Sequence, residues 1–86
     1  MFLAKIYVTL KPTVNDPQGQ TVLEGLKALG FGSAGAVRVG KYLEVLVSVK
    51  ERKHAEDQVA EMCKKLLANP VIEDYHYELE ELAPSS

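Results

Sequence analysis

The chain has 86 residues, of which 47% are hydrophobic and 26% charged, and its formal net charge at pH 7 is −2. This length supports one domain, and the composition is that of an ordinary soluble globular protein. The slightly negative charge provides no positive field to attract phosphates, which argues against nucleic-acid binding. The single cysteine and the lack of a signal-peptide pattern or long apolar run predict a cytoplasmic protein without membrane contact.

Residues 2–11 form the first predicted element, a strand with one buried face, because apolar residues recur at every second position. Pro12 ends it, since proline has no backbone donor. A helix is predicted to begin after Asp16, which can cap the first turn, with Pro17 at the first helical position. Gly30 is expected to end this helix in the left-handed conformation. Its apolar stripe consists of Val22, Leu26 and Leu29.

Residues 36–49 are strand-like but are interrupted at Gly40-Lys41. A hairpin with a two-residue turn would place the apolar residues of its two strands on opposite faces of the sheet. Two interpretations avoid this conflict: a hairpin with a bulged, odd-length loop, or one long strand bent at Gly40. We favour the bulged hairpin.

A second, stronger helix is predicted over residues 51–67, ending at Asn69-Pro70 because a residue before proline avoids the helical conformation. Residues 71–82 then alternate as a final strand, and the tail 83–86 is expected to fray. The broad apolar stripe of the second helix consists of Ala55, Val59, Met62, Cys63, Leu66 and Leu67.

This order predicts a single α+β domain over residues 1–82 with the ferredoxin-like arrangement βαββαβ, in which two helices cover one face of an antiparallel sheet. So short a chain has nothing left to cover the other face, which predicts a homodimer or higher oligomer. The residues expected to make that face partly apolar are Tyr7, Tyr42, Leu46, Tyr75 and Tyr77.

The polar residues form no recognisable catalytic or metal-binding constellation. His54 and His76 lie on different elements, away from metal-ligand spacing to Cys63, which falls on an apolar stripe and is expected to be buried. Arg38 and Lys41 flank a turn and have no evident structural role, so they are candidates for binding an anion or a partner's carboxylate. The acidic residues of the last strand are Glu73, Asp74, Glu78, Glu80 and Glu81.

Three segments carry a resemblance to a known family. They are Tyr7–Pro12 together with Asp16–Gly19, then Val37–Glu44, and finally Met62–Tyr75. In their order, their spacing and the length of the chain they resemble the PurS family, the small subunit of phosphoribosylformylglycinamidine synthase. The resemblance extends from the first strand to about Glu80.

The resemblance implies a role in purine biosynthesis. The enzyme converts formylglycinamide ribonucleotide, ATP and glutamine to the amidine. Its large synthetase subunit uses ATP and magnesium, and its glutaminase subunit releases ammonia from glutamine. The small subunit is implied to be dimeric, to need no cofactor of its own, to contain no catalytic residue, and to bridge the other two subunits and support ammonia transfer.

The family motifs are matched by residues Arg38, Gly40 and Lys41 at the turn and by 69–74 at the helix–strand junction. The partner-binding residues that we expect are therefore Arg38, Gly40, Lys41, Asn69, Glu73 and Asp74. An alternative function is a ferredoxin-like regulatory module that binds a small molecule between paired domains. A third, a small enzyme with His76 or Glu78 as general base, has the least support in the sequence.

Overall fold

The structure, a computed structural model, describes residues 1–83 of the chain. In that range the elements are β1 (Phe2–Leu10), α1 (Pro17–Ala28), β2 (Gly40–Val47), α2 (Arg52–Met62), a π-helical turn (Cys63–Leu67) and β3 (Glu73–Glu81). The strands form a three-stranded antiparallel sheet in the order β2-β1-β3. This confirms the predicted α+β class with two helices and an antiparallel sheet. The frayed tail predicted for residues 83–86 falls, from residue 84 onwards, outside the described residues.

The predicted order βαββαβ contains one strand too many. Residues 36–39 form no strand, and β2 begins only at Gly40. Both interpretations of residues 36–49, the favoured bulged hairpin and the long bent strand, are therefore wrong for this segment. The physical reason is that the segment's hydrogen bonds go elsewhere: the Val39 N–H donates to the carboxylate of Asp16 rather than to a strand.

The core lies between one face of the sheet and α2. Alternate residues of β1 are buried on that face, and cross-strand pairing adds Val47 of β2 opposite Phe2. From α2 and the π-helical turn, Ala55, Val59 and Cys63 are completely buried. Burial raises the pKa of the Cys63 thiol and leaves it without access to reagents. The buried β1 residues are Phe2, Ala4, Ile6 and Val8.

Helix α1 begins and ends as its sequence predicts. The Asp16 Oδ1 accepts a hydrogen bond from the Gly19 N–H at 2.9 Å, and Pro17 occupies the first helical position. At the other end Gly30 has a φ of 98°, the left-handed conformation that glycine adopts without steric cost. The Phe31 N–H then donates to the Leu26 carbonyl at 3.0 Å, which completes a Schellman motif.

The apolar stripe of α1 is covered only in part by the rest of the described chain: Leu26 is half-buried, but its neighbours on the stripe are exposed. Gly19 is the only buried residue of α1, while Val22 is 43% exposed and Leu29, just beyond the helix, is 76% exposed. The radius of gyration is 16.9 Å, compared with about 12 Å for a compact chain of this length. Helix α1 therefore extends the molecule, whose dimensions are 51 × 32 × 15 Å, instead of adding to its core.

The π-helical turn at Cys63–Leu67 was not predicted. Its longer hydrogen-bonding period rotates the last residues of the helix relative to the regular stripe. Leu66, expected on the buried stripe, is consequently 83% exposed. Within residues 1–83, neither helix has the length and apolar composition needed to cross a membrane.

Candidate partner-binding site

The segments singled out in the sequence converge at one end of the sheet. In the strand register, Thr9 of β1 lies opposite Gly40 at the start of β2 and opposite Asp74 near the start of β3. The loop from β1 to α1, the segment before β2 and the turn before β3 therefore meet there. This end of the sheet is the candidate site.

Asp16 ties the start of α1 to the segment before β2. Besides capping the helix, its Oδ2 accepts a hydrogen bond from the Val39 N–H at 2.8 Å. These two hydrogen bonds, the one from Val39 first and that from Gly19 second, lower the pKa of the Asp16 carboxyl below its usual value. Gly19 allows the close approach, because a Cβ at this position would overlap the Val37 carbonyl oxygen.

Arg38 has a structural role that the sequence did not reveal. Its Nη1 donates to the Val14 carbonyl at 3.0 Å and its Nη2 to the Lys11 carbonyl at 2.8 Å. The guanidinium thus holds the loop between β1 and α1 against the segment before β2. The expectation that Arg38 lacks a structural explanation was wrong.

Lys41, Asn69 and Glu73 form a group that we call the junction cluster. The Glu73 Oε1 accepts from the Asn69 N–H at 2.7 Å, and its Oε2 lies 3.8 Å from the Lys41 Nζ. That Nζ also donates to the Leu67 carbonyl at the end of the π-helical turn, at 3.3 Å. The Asn69 Oδ1 accepts from the Val71 N–H at 3.0 Å, which fixes the turn into β3. Lys41, like Arg38, therefore already has partners inside the chain.

Gly40 has a steric role at the start of β2. A Cβ there would lie 2.6 Å from the Val8 carbonyl oxygen, which is closer than van der Waals contact allows. Any larger residue would push β2 away from β1 at this end of the sheet.

The turn of Val71 and Ile72, which lies between Asn69 and the first residue of β3, is exposed. Val71 is 78% exposed and Ile72 39% exposed, although both are apolar. Asp74, the next acidic residue, is exposed on the sheet face opposite α2, and none of the hydrogen bonds or ion pairs found in residues 1–83 involves its side chain. Sequence reasoning did not select Val71 and Ile72, although two apolar residues directly after Asn-Pro were a usable signal.

The sheet face opposite α2, which we call the open face, contains only part of the predicted aromatic set. Tyr7 stacks on His76 with ring centroids 4.6 Å apart and contacts Tyr42 at 5.0 Å. Leu46 is 61% exposed on the same face. The placement of Tyr75 and Tyr77 there was wrong: they lie opposite Val8 and Ile6 and pack against the core. Their alternation with Asp74 and His76 fixes them on the covered side.

Two polar contacts cross the open face. The Tyr42 hydroxyl donates to the Glu44 Oε2 at 2.9 Å. The pKa of Tyr42 is raised to about 12, mainly by partial desolvation and, second, by this hydrogen bond. The Lys5 Nζ lies 3.2 Å from the Glu80 Oε2, and the hydrogen bond to that carboxylate raises the pKa of Lys5. Both contacts lie at the surface and add little to stability.

The histidines and the other carboxylates of the described chain lie outside the junction cluster. Within residues 1–83, no three His, Cys, Asp or Glu side chains come together as metal ligands. His76 and Glu78, the possible general bases, are exposed on the open face. A groove of about 530 Å³ lies beside α2 and the π-helical turn and is lined by His54, Asp57, Gln58, Glu61, Met62 and Lys65. A ligand site between paired domains stays a prediction.

The fold and the site together define a class: a small α+β chain whose distinctive residues shape an exposed surface instead of enclosing a cavity. Residues 3–81 match the family described as PurS, phosphoribosylformylglycinamidine (FGAM) synthase. The chain belongs to the PurS family.

Individual relatives agree over almost the whole length. Phosphoribosylformylglycinamidine synthase subunit PurS of Bacillus subtilis is 46% identical over 82 residues, which is 95% of this chain and 96% of the relative. The crystal structure of Methanocaldococcus jannaschii PurS, described as one of the subunits of formylglycinamide ribonucleotide amidotransferase in the purine biosynthetic pathway, is 36% identical with a TM-score of 0.86. The alignment covers 96% of this chain and all of that one.

A third structure, PurLQS from Thermotoga maritima, contains a chain that is 26% identical with a TM-score of 0.82 and covers 93% of this chain and 99% of that one. In that organism a protein of this fold is thus found in a structure together with PurL and PurQ.

Proposed function

We propose that this chain is the small, non-catalytic subunit of phosphoribosylformylglycinamidine synthase and works in the cytoplasm in purine biosynthesis. The observation that carries the proposal is the family match over residues 3–81, joined to a structure in which the matched motifs build a surface. The PurLQS structure supports the kind of assembly proposed.

In this proposal the chemistry takes place on the partner subunits. A large synthetase subunit activates formylglycinamide ribonucleotide with ATP and magnesium, and a glutaminase subunit releases ammonia from glutamine. The small subunit binds no cofactor, bridges the two and supports the transfer of ammonia. It contributes shape and binding energy, while the side chains of Arg38, Lys41 and Glu73 hold its own loops in place.

The contact surface that we propose is the turn Val71–Ile72 with Asp74 beside it. Two exposed apolar side chains on a turn fixed by Asn69 and Glu73 are pre-organised, so little conformational entropy is lost when a partner covers them. In this scheme the six residues selected from the sequence fall into two groups, one that contacts the partner and one that supports the contact surface. Asp74 makes direct contact, while the others shape the surface from behind: Arg38, Gly40, Lys41, Asn69 and Glu73.

The role of the whole chain is tested by measuring glutamine-dependent amidation of formylglycinamide ribonucleotide by the two large subunits, with and without this chain. Turnover driven by ammonium serves as the control. We expect the chain to restore the glutamine-dependent rate and to change the ammonium-driven rate much less. Unchanged rates with no complex formed would contradict the proposal.

The contact surface is tested separately with Val71→Asp. A charge placed in a covered apolar contact is expected to weaken association with the large subunits about tenfold or more. The folded state should persist, since Val71 is 78% exposed. Leu66→Asp, at an apolar residue of the π-helical turn that is 83% exposed, is the control because its exposure is similar and it lies outside the α1 stripe. Equal binding by both variants, measured by sedimentation or calorimetry, would remove Val71 from the interface.

A further inference from the structure

The open face carries most of the negative charge of the molecule. In the strand register its side chains form rows across the three strands, and one row places Lys5 between Glu44 and Glu78. Asp74 and Glu80 lie on the same face, so four carboxylates share it with one ammonium group. The open face alone therefore has a formal charge of −3, whereas the whole chain has −2.

Part of this charge is not neutralised within the chain. Lys5, the single ammonium group that the register places on this face in the described part of the chain, is already paired, because its Nζ lies 3.2 Å from the Glu80 Oε2. None of the hydrogen bonds or ion pairs found in residues 1–83 involves the side chains of Asp74 or Glu78. These two carboxylates stand on either side of His76 along β3 and are available to a cation from outside.

A row of aromatic rings runs beside the carboxylates. Tyr42, Tyr7 and His76 are neighbours across the sheet, and Tyr7 lies almost parallel to His76, with 12° between the ring planes. The next row along the strands contains Glu44 and Glu78. A guanidinium group binds such a surface in two ways at once, since it stacks on aromatic rings and donates paired hydrogen bonds to carboxylates.

The same charge argues against three other occupants of the open face. A second copy laid on it would oppose two surfaces of −3, and the Lys5 of each copy is already paired with Glu80. Nucleic acids and the surfaces of anionic membranes are negative as well. A protein segment with exposed basic side chains is complementary in charge, and its aliphatic parts can cover Leu46, which is 61% exposed on this face.

We infer that the open face binds a basic segment of a partner subunit, with an arginine side chain stacked on Tyr7 and Tyr42 and its guanidinium bound by the neighbouring carboxylates. The inference rests on the proposed function and specifies the chemistry of the partner's surface. Asp74 belongs both to the open face and to the proposed contact surface beside Val71–Ile72. One partner can therefore cover the apolar turn and the acidic face together.

Charge reversal tests the electrostatic part of this inference. Binding of the full-length chain to the purified synthetase and glutaminase subunits is measured by calorimetry at low and at physiological salt. We expect Glu78→Lys to weaken binding about tenfold or more, and the affinity of the natural chain to fall more steeply with salt than that of the variant. Glu24→Lys, at an exposed residue of α1, makes the same change in net charge and should leave affinity within about twofold. Equal affinities for Glu78→Lys and the natural chain, or binding that salt does not change, would overturn the inference.

The arginine is tested at Tyr7 with a conservative pair of variants. Tyr7→Phe keeps the ring, and its affinity for the large subunits should stay within about twofold of the natural value. Tyr7→Leu removes the ring and is expected to weaken binding about fivefold or more. Circular dichroism checks that both variants are folded. An equal loss for the two variants, or no loss for Tyr7→Leu, would contradict stacking of a guanidinium on this ring.

Two further measurements separate this inference from its alternatives. Light scattering of the isolated chain detects a second copy on the open face: a change in mass for Glu78→Lys without a change in its affinity for the large subunits would overturn the inference. The amidation assay separates it from the proposed function. If the natural chain and Glu78→Lys restore glutamine-dependent turnover at the same concentration, only the basic partner segment is disproved. If the natural chain restores nothing, both proposals fail.

Discussion

The two helices of this protein have similar apolar stripes but very different environments. In α2 and its π-helical extension, Ala55, Val59 and Cys63 are completely buried against the sheet. In α1 only Gly19 is buried, and the stripe residue Val22 is 43% exposed. Both stripes follow the same helical period in the sequence.

The comparison shows what an apolar stripe determines and what it leaves open. The stripe indicates which side of a helix avoids water, but not which surface covers it. For α2 the covering surface is in the same chain. For α1, no surface within residues 1–83 covers the exposed residues Val22 and Leu29, in keeping with the place in an assembly proposed for this chain.

The largest contrast should come from placing a charge on each stripe. Val59→Asp buries a carboxylate with no partner and is expected to lower the free energy of unfolding by about 3 kcal/mol or more. Val22→Asp should change it by no more than about 0.5 kcal/mol, because the side chain is already partly in water. Urea unfolding of the isolated chain followed by circular dichroism measures both. A similar loss for the two variants would mean that α1 packs as firmly as α2.

A smaller contrast is expected within α1, between two glycines of the same helix. Gly19→Ala forces a methyl group against the Val37 carbonyl oxygen, and overpacking of this kind costs about 1–3 kcal/mol. Gly25→Ala meets no atom within 4 Å, so the higher helix propensity of alanine should stabilise the helix by about 0.5–1 kcal/mol. Thermal unfolding of the two variants and of the natural chain shows whether the change in stability has opposite signs at the two glycines. Destabilisation by Gly25→Ala would show that a surface covers this part of α1 even in the isolated chain.

The most subtle test concerns the pH dependence of the link between α1 and the rest of the chain. The hydrogen bonds from Val39 and Gly19 hold the pKa of Asp16 below its ordinary value of 3.8. A lowered pKa in the folded state stabilises the protein above the ordinary value, and this contribution is lost as the pH falls through the lower, folded value.

Asp16→Asn should therefore be less stable than the natural chain at neutral pH, and the difference should shrink below about pH 4. Chemical unfolding at a series of acidic pH values measures it. Glu24→Gln is the control, because it removes a carboxyl group that takes part in none of the hydrogen bonds or ion pairs found in residues 1–83. It should show no such convergence. A gap that stays constant into strong acid would contradict the role given to the carboxylate.

The local features of the fold were predictable because they depend on neighbouring residues. Asp16-Pro17 at the start of α1, Gly30 at its end and Asn69-Pro70 after the second helix each impose a backbone geometry through a short-range steric or hydrogen-bonding effect. The structure confirms all three. The alternation that placed the buried face of β1 is a local property of the same kind.

The features that were missed depend on contacts distant in sequence. The segment 36–39 has strand-like residues, yet it bonds to Asp16 instead, across 23 positions. Arg38 reaches Lys11 across 27 positions, so no local pattern could reveal its partners. The sequence motifs identified the residues of the site. They did not show which residues contact a partner and which hold the surface in shape, because those roles depend on contacts distant in sequence.

The uncovered position of α1 has a hydrodynamic consequence. A radius of gyration of 16.9 Å is that of a compact protein of roughly 210 residues. One chain will therefore elute from a sizing column, and diffuse, as though it were two or three. Elution volume overstates the number of copies, so the stoichiometry of the isolated chain and of its complexes has to come from mass itself, by light scattering, sedimentation equilibrium or native mass spectrometry.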